Sequence, residues 1–452
     1  MPAPGDVYGS LDLALRVGDL QLASGGGASD VAATMLEVAG ACGLDGVDAD
    51  VTFTELRLQQ QSAIDVPASI LVRRVRRRPV DYAELIEVDR LVQDLLDGRT
   101  SRDAARERIA EIDAADHRRA QWLVTASWGA VGASLAVTLG GGVVVSGLAF
   151  VAACGIDRVG RLTRSRVPVF YQQTAGGLLA TLVAVGASAT PVDADLSLIV
   201  TAGIIILLAG IGLMGAMADA LTGYPLTASA RLLDALLATT GVIAGVAAGL
   251  TVADLLGADL GQVEPGATGL ARGSAMTVGA GLAAAAYGFA CYSPLRAAAA
   301  AAVVAAGGQA LFLGVEGLDL GQTWAATAAA VAIGTVSHGI ASRVRVPPLV
   351  LVVPAIVPLL PGLSIYRGLA LLAEGEDGVL DLAAAGATAI ALAAGVILGQ
   401  YLAQPIRQEG ARLGSHLENH LPGPRLTGLL RRPARRDRPV VGPADGEPPA
   451  PR

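Results

Sequence analysis

Apolar and polar positions change rhythm along this chain, and the rhythm divides it into a head, a body and a tail. Leu11, Leu13, Leu15, Val17, Leu20 and Leu22 predict a first helix that ends at Ser24-Gly25-Gly26-Gly27. A second helix is expected from about Ser29 to Cys42, with Val31, Met35, Val38 and Ala39 on one face. Val47, Ala49, Val51 and Phe53 alternate with Asp48, Asp50, Thr52 and Thr54, the period of a half-buried strand. Further strands are expected around Leu56 and Leu58 and over Ser69–Arg76. Two more helices follow at about Asp81–Asp97 and Ser101–Asp113, where Thr100 or Ser101 is placed to cap the second. Residues 9–120 therefore read as a small α/β domain behind a disordered stretch 1–8.

From Trp122 the rhythm gives way to long apolar runs. A bilayer core needs roughly 20 apolar residues per helix. Ten candidate spans follow, near 122–139, 141–156, 169–187, 196–215, 229–251, 273–292, 296–313, 322–341, 347–362 and 379–402. The fold class expected is a mainly α membrane protein with about ten transmembrane helices. They form two five-helix halves, 121–251 and 273–404, joined by an external acidic loop 252–272. Residues 405–452, rich in Arg and Pro, read as a disordered cytoplasmic tail.

Charge tests this topology. Of 33 basic and 40 acidic residues, stretch 121–404 carries only 10 Arg and 14 acids. Arg158, Arg161, Arg164, Arg166, Arg231, Arg296, Arg343 and Arg345 fall in alternate loops, on the side of the head. Asp193, Asp195, Asp254, Asp259, Glu264, Glu316, Asp319, Glu374, Glu376 and Asp377 fall opposite. Only Arg272 and Arg367 break the pattern. This positive-inside bias suits an even number of spans with both termini cytoplasmic. The N-terminus lacks a basic n-region and an apolar h-region, so no cleaved signal is expected. Arg166-Val167-Pro168 and Arg345-Val346-Pro347 each open a span and hint at an internal repeat, which with five spans per half would be inverted.

Composition removes several chemistries. Every basic residue is arginine, so the chain has neither a Walker A lysine nor a Schiff-base lysine. The acidic head argues against nucleic-acid binding. Three scattered cysteines (Cys42, Cys154, Cys291) suggest neither a disulfide framework nor a metal cluster. No cofactor and no metal are expected.

Two groups of residues could carry function. In the head, the glycine-rich turn opening the second helix suits a carboxylate or phosphate, with Ser24, Ser29, Asp30 and Thr34 nearby. The same residues could equally form a plain turn with Ser29 or Asp30 as N-cap. Asp50 and Thr52 lie on a strand face that could bind an amine or simply meet solvent. Neither serine sits in a Gly-x-Ser-x-Gly elbow. In the body, polar groups need a partner or a wet cavity. Gln172, Gln173, Asp219, Thr222 and Asp234 stand out, with Arg231 and Asp234 spaced as a local ion pair. Pro354, Pro358 and Pro361 prevent one regular helix there, and Asp219–Pro225 forms a second interruption. Two interrupted segments, one per half, point to a transporter's binding site.

The chain resembles the threonine/serine exporter family of bacterial inner-membrane carriers. The matching stretches include Gly18-x-Leu20 through Ser24-Gly25, Ser29-Asp-Val31, Thr34-Met35, Asp50-Val-Thr-Phe-Thr54, Asp81-Tyr82, Trp128-Gly129 and Ile156-Asp157-Arg158. Pro168 with Phe170-Tyr-Gln-Gln173, Asp219-Ala-Leu-Thr-Gly223 and Pro358-Leu-Leu-Pro-Gly-Leu-Ser-Ile-Tyr366 extend it through both halves. The resemblance implies a secondary exporter, not an enzyme, in the bacterial cytoplasmic membrane. It would expel threonine and serine using the proton motive force. Its expected partners are that cargo, protons and the lipid bilayer, with a homo-oligomer left open. Pro361, Ser364 and Tyr366 join the candidate cargo residues. Export of another small polar metabolite, such as a dicarboxylate, and hydrolysis by the head are the alternatives.

Overall fold

A computed structural model describes residues 4–418 apart from 62–65, 76–79, 115–118, 191–194, 209, 259–269 and 319. The head opens with α1 (Pro4–Ala23) and α2 (Ala28–Ala41). A three-stranded antiparallel sheet follows, β1 (Val47–Val51), β2 (Glu55–Gln60) and β3 (Ser69–Arg74), in the order β1-β2-β3. Val51 pairs with Leu56, and Leu58 with Leu71. Then come α3 (Tyr82–Leu96) and α4 (Arg102–Ala114).

The alternation in β1 turns Asp48 and Asp50 outward and buries Val51. Leu11, Leu15, Met35, Leu56, Leu58 and Ile109 fill the head's core. Asp81 caps α3 by accepting from the N–H groups of Ala83 (2.8 Å) and Glu84 (3.1 Å), and the Ser101 hydroxyl accepts from Ala104 N–H at the start of α4. The first helix begins at Pro4, inside the stretch expected to be disordered, and Val7 is already buried.

The described residues of 121–404 form helices joined by turns. In order they are α5 (Gln121–Thr138), α6 (Val143–Thr163), α7 (Val169–Ser188), α8 (Ser197–Leu207), α9 (Gly210–Leu221) and α10 (Pro225–Leu256). The second part holds α11 (Leu270–Ala290), α12 (Leu295–Glu316), α13 (Gln322–Val344), α14 (Leu349–Ile356), a 3-10 turn (Val357–Leu359), α15 (Gly362–Ala373) and α16 (Val379–Glu418).

Among the described residues, six segments are long and apolar enough to cross a bilayer: α6, α10, α12, α13, α14 with α15, and Val379–Ala403 of α16. Their outer faces are apolar too, with Val151, Leu233, Leu236, Val303 and Leu398 exposed. A soluble helix would not present such surface to water, so these faces meet lipid. The chain is a multi-pass membrane protein.

Each apolar run read from the sequence coincides with a helix, with four departures. The fourth is broken in two, where α8 ends at Leu208 in an extended conformation and α9 restarts at Gly210. The fifth starts at Pro225 and runs for 32 residues. The ninth continues past its proline run as α15, so Arg367 sits within a helix and not in a loop. The tenth runs on to Glu418, into the stretch expected to be a disordered tail, while residues 259–269 of the acidic loop and 419–452 of the tail lie outside the described residues.

Glycines set two close helix contacts. A Cβ on Gly245 of α10 would stand 2.1 Å from the Thr174 carbonyl of α7, and one on Gly399 of α16 would stand 2.2 Å from the Val331 carbonyl of α13. Only glycine lets these backbones approach so closely. The third and fifth segments of the first part thus pack like the third and fifth of the second. The fourth is broken in both. The correspondence is offset by five segments, whereas the two Arg-Val-Pro motifs open α7 and lead into α14, an offset of six.

Candidate functional site

The head's glycine-rich turn is where head and body interlock. Gly27, not Ser29 or Asp30, is the N-cap of α2, and it offers no side chain to the free N–H groups behind it. The missing acceptor comes from the body: Ala28 N–H donates to Asp219 Oδ1 at 2.6 Å, across 191 residues of chain. A carboxylate at a helix N-terminus is favoured by the helix dipole and by hydrogen bonding. The anion that the turn suits is the protein's own.

Asp219 ends α9 and is 0% exposed; Arg231 on α10 is 5% exposed. Arg231 Nε lies 3.1 Å from Asp219 Oδ2. The guanidinium also donates to Gly26 O at 2.7 Å and lies 6.0 Å from the Phe53 ring centre. Gly215 on α9 leaves room for it, since a Cβ there would fall 2.2 Å from Arg231 Nη1. The Thr227 hydroxyl donates to Val51 O at 3.0 Å, and Tyr224 packs on the head's core. Partial burial, then the nearby negative charge of Asp50, Asp219 and Asp48, raises the Tyr224 phenol above its ordinary value, so it stays a neutral hydroxyl. Arg231 therefore pairs with Asp219 from the preceding helix, in contrast to the local pairing with Asp234 that spacing suggested.

The second feature is a cavity of about 250 Å³ inside the body. It lies where the two broken segments meet. Ile205, Ile206, Leu208, Gly212 and Leu213 come from the α8–α9 break, and Val353, Ile356, Val357 and Leu360 from the α14–α15 break. Gly362 brings the breaks together, since a Cβ on it would stand 2.4 Å from Ile205 Cγ1. Ala389, Leu392 and Ala393 of α16 close one side. Asp234, Tyr287 and Trp128 supply a carboxylate, a phenol and an indole. Trp128 and Tyr287 meet edge to face, 5.4 Å between ring centres.

The candidate residues therefore separate. Asp234 alone among them lines the cavity, with Pro361 next to Leu360 at its rim and Ser364 and Tyr366 farther along α15. Asp219 belongs to the interlock, and the Thr222 hydroxyl donates back to Ala218 O at 2.8 Å in the same turn. Gln172 Nε2 donates to Val167 O at 2.9 Å, and Gln173 packs against Gly241 of α10. In the head, Ser24 is buried beside the turn, while Ser29 and Asp30 open α2. Thr34 donates to Asp30 O (2.9 Å), and Thr52 to Glu55 O (3.0 Å). Asp50 is exposed. Sequence reasoning missed Tyr287 as a lining residue, although a phenol within an apolar helix is itself a signal.

A family model described as a threonine/serine exporter matches residues 12–253, and a second threonine/serine exporter model matches 276–402. A Mycobacterium tuberculosis protein named a probable threonine/serine exporter is 36% identical over 414 residues, covering 89% of this chain and 78% of that protein. A threonine/serine exporter of Corynebacterium glutamicum is 32% identical over 412 residues, covering 89% and 84%. No solved structure matches. The two models meet either side of the acidic loop and take in both the interlock and the cavity, and with two such relatives they establish that this chain belongs to the threonine/serine exporter family.

Proposed function

We propose that this chain exports threonine and serine from the cytoplasm, driven by the proton motive force, through a body of ten spans in two inverted five-helix halves. Head and tail are on the cytoplasmic side. The observation that carries this reading is the cavity at the meeting of two broken segments, each the fourth of its half. Unwound backbone survives at membrane depth where it lines a binding site. The five-segment offset of the glycine contacts supports the inverted halves, and the arginine distribution supports the orientation. The names of the two relatives support the cargo.

The chemistry of the lining suits a small zwitterion. Asp234 receives the ammonium group. The first turn of α9, which includes Gly212 and Leu213, offers backbone N–H groups with no partner inside their own helix, and these suit the carboxylate. Ile205 and Leu392 form an apolar wall for the threonine methyl, and the Tyr287 ring lines the same space. The cavity falls below the roughly 300–1,000 Å³ of drug-sized sites, so a small amino acid is the right scale. A dicarboxylate would bring a second negative charge against Asp234.

A single carboxylate also yields coupling. Protonated Asp234 cannot hold an ammonium ion, and an occupied Asp234 cannot take a proton. Alternating the two on opposite sides exchanges an outgoing amino acid for an incoming proton. The test is efflux of labelled threonine from proteoliposomes holding the full chain. An opposing proton gradient should accelerate efflux, an uncoupler should remove the acceleration, and serine but not succinate should compete. Efflux indifferent to the gradient, or stronger for succinate, would reject the reading.

A further inference from the structure

The head touches the body at a second place, directly beside the cavity. Tyr82, the first residue of α3, is 0% exposed. Its N–H donates to Cys291 O (2.9 Å) in the turn between α11 and α12. Its ring is buried with Cys291, Ala297, Val350 and Leu351, and Trp128 and Tyr287 pack against that same cluster. These two aromatic residues also line the cavity. Tyr287 lies one helical turn inside the end of α11, so cavity and Tyr82 are separated by roughly 5 Å of helix.

Two features make this contact unlike ordinary core packing. The Tyr82 hydroxyl is buried with no hydrogen-bond partner among the described residues. Such a group carries a cost that is relieved when it meets water or a polar cargo. Burial also holds its phenol well above the ordinary range, so it stays neutral. The receiving turn is strained, because Tyr292 has φ 64°, a region that bulky residues rarely adopt. Arg119 clamps the turn by donating to Phe289 O and to Ser293 O, the latter at 2.7 Å, with its guanidinium 4.0 Å from the Phe289 ring centre.

We infer that Tyr82 is a residue of the transport pathway: its ring is the plug at the head-side mouth of the cavity, and the head withdraws it to admit cargo. The inference rests on the cavity being the transport site. The aromatic pair Trp128–Tyr287 lines the cavity and packs against the cluster that buries the Tyr82 ring, so withdrawing α3 frees the pair to turn aside and opens a route from the head side to Asp234. The Asp219–Arg231 interlock holds the other end of the same head, on the turn that leads into α10 and so to Asp234. The head is thereby a gate built into the carrier, and its two attachments must loosen for cargo to enter.

The test is cysteine accessibility in the full chain, reconstituted with the head outward. With Cys42, Cys154 and Cys291 replaced by serine, Ala389→Cys places one thiol on the cavity wall. A membrane-impermeant maleimide should label it at least tenfold faster when Tyr82→Ala is added. Tyr82→Phe, which keeps the ring, should label within about twofold of the parent. Equal rates in all three would overturn the plug. A second measurement does not depend on the alanine variant folding. Asp81→Cys, which keeps the Tyr82 ring, should cross-link to native Cys291 on oxidation and stop threonine efflux, and reduction should restore it. Failure to cross-link, or full efflux from the cross-linked protein, would also overturn the plug. Labelling needs no cargo, so a mistaken cargo leaves the labelling result intact while abolishing threonine efflux in every variant.

Discussion

The junction between head and body and the cavity within the body each hold one carboxylate, and the two sit in different surroundings. Asp219 has one oxygen on a backbone N–H and the other against an arginine, in a place closed to solvent. Asp234 stands in a space large enough for a small molecule, among aliphatic side chains, a phenol and an indole. A carboxylate matched by fixed partners holds structure together, because moving it strands a charge. A carboxylate facing a cavity can exchange what it binds. The structure makes Asp219 a holding residue, and the carrying role proposed for Asp234 rests on its place at the cavity, although in the sequence both are simply acids at the edges of apolar runs.

The sharpest way to break this contrast is to remove Arg231. Arg231→Ala strands the buried Asp219 carboxylate, and stability should fall by about 3–5 kcal/mol, the usual range for breaking a buried pair. Thermal unfolding of the detergent-purified chain reads this directly. A loss below about 1 kcal/mol would show that the junction is not held by its ion pair. Thr227→Val removes a single hydrogen bond to Val51 O. It should cost about 1 kcal/mol in the same assay. Asp50→Asn alters an exposed strand face and should change stability by no more than about 0.5 kcal/mol, with threonine efflux unchanged. A large effect at Asp50 would return that face to the list of binding surfaces.

The head's elements were legible because local patterns determine them. The alternation at Val47–Val51 places each β1 side chain, and Asp81 and Ser101 announce their helices. The proline run at 354–361 likewise foretold a broken segment, since no helix accommodates it unbroken. The companion break was placed too late. It falls near Leu208, inside an apolar run where periodicity carries no signal, while the stretch Asp219–Pro225 holds the last turn of α9 and a short turn, Thr222–Tyr224, before α10. The partners of Asp219 were hidden for a different reason. Spacing offers Asp234 to Arg231 and an intrahelical cap to α2, but the structure satisfies both needs with Asp219, on the helix before Arg231 and 191 residues from Ala28. Long-range pairing of this kind leaves no trace in local sequence.

Substituting Asp234 by Asn tests the division of labour most directly, with folded yield and gradient-driven threonine efflux measured on the same preparation. A carrying role for Asp234 predicts a folded protein recovered in normal yield and efflux reduced at least tenfold with its dependence on the proton gradient gone. Gradient-driven efflux at the parental rate from Asp234→Asn would contradict it.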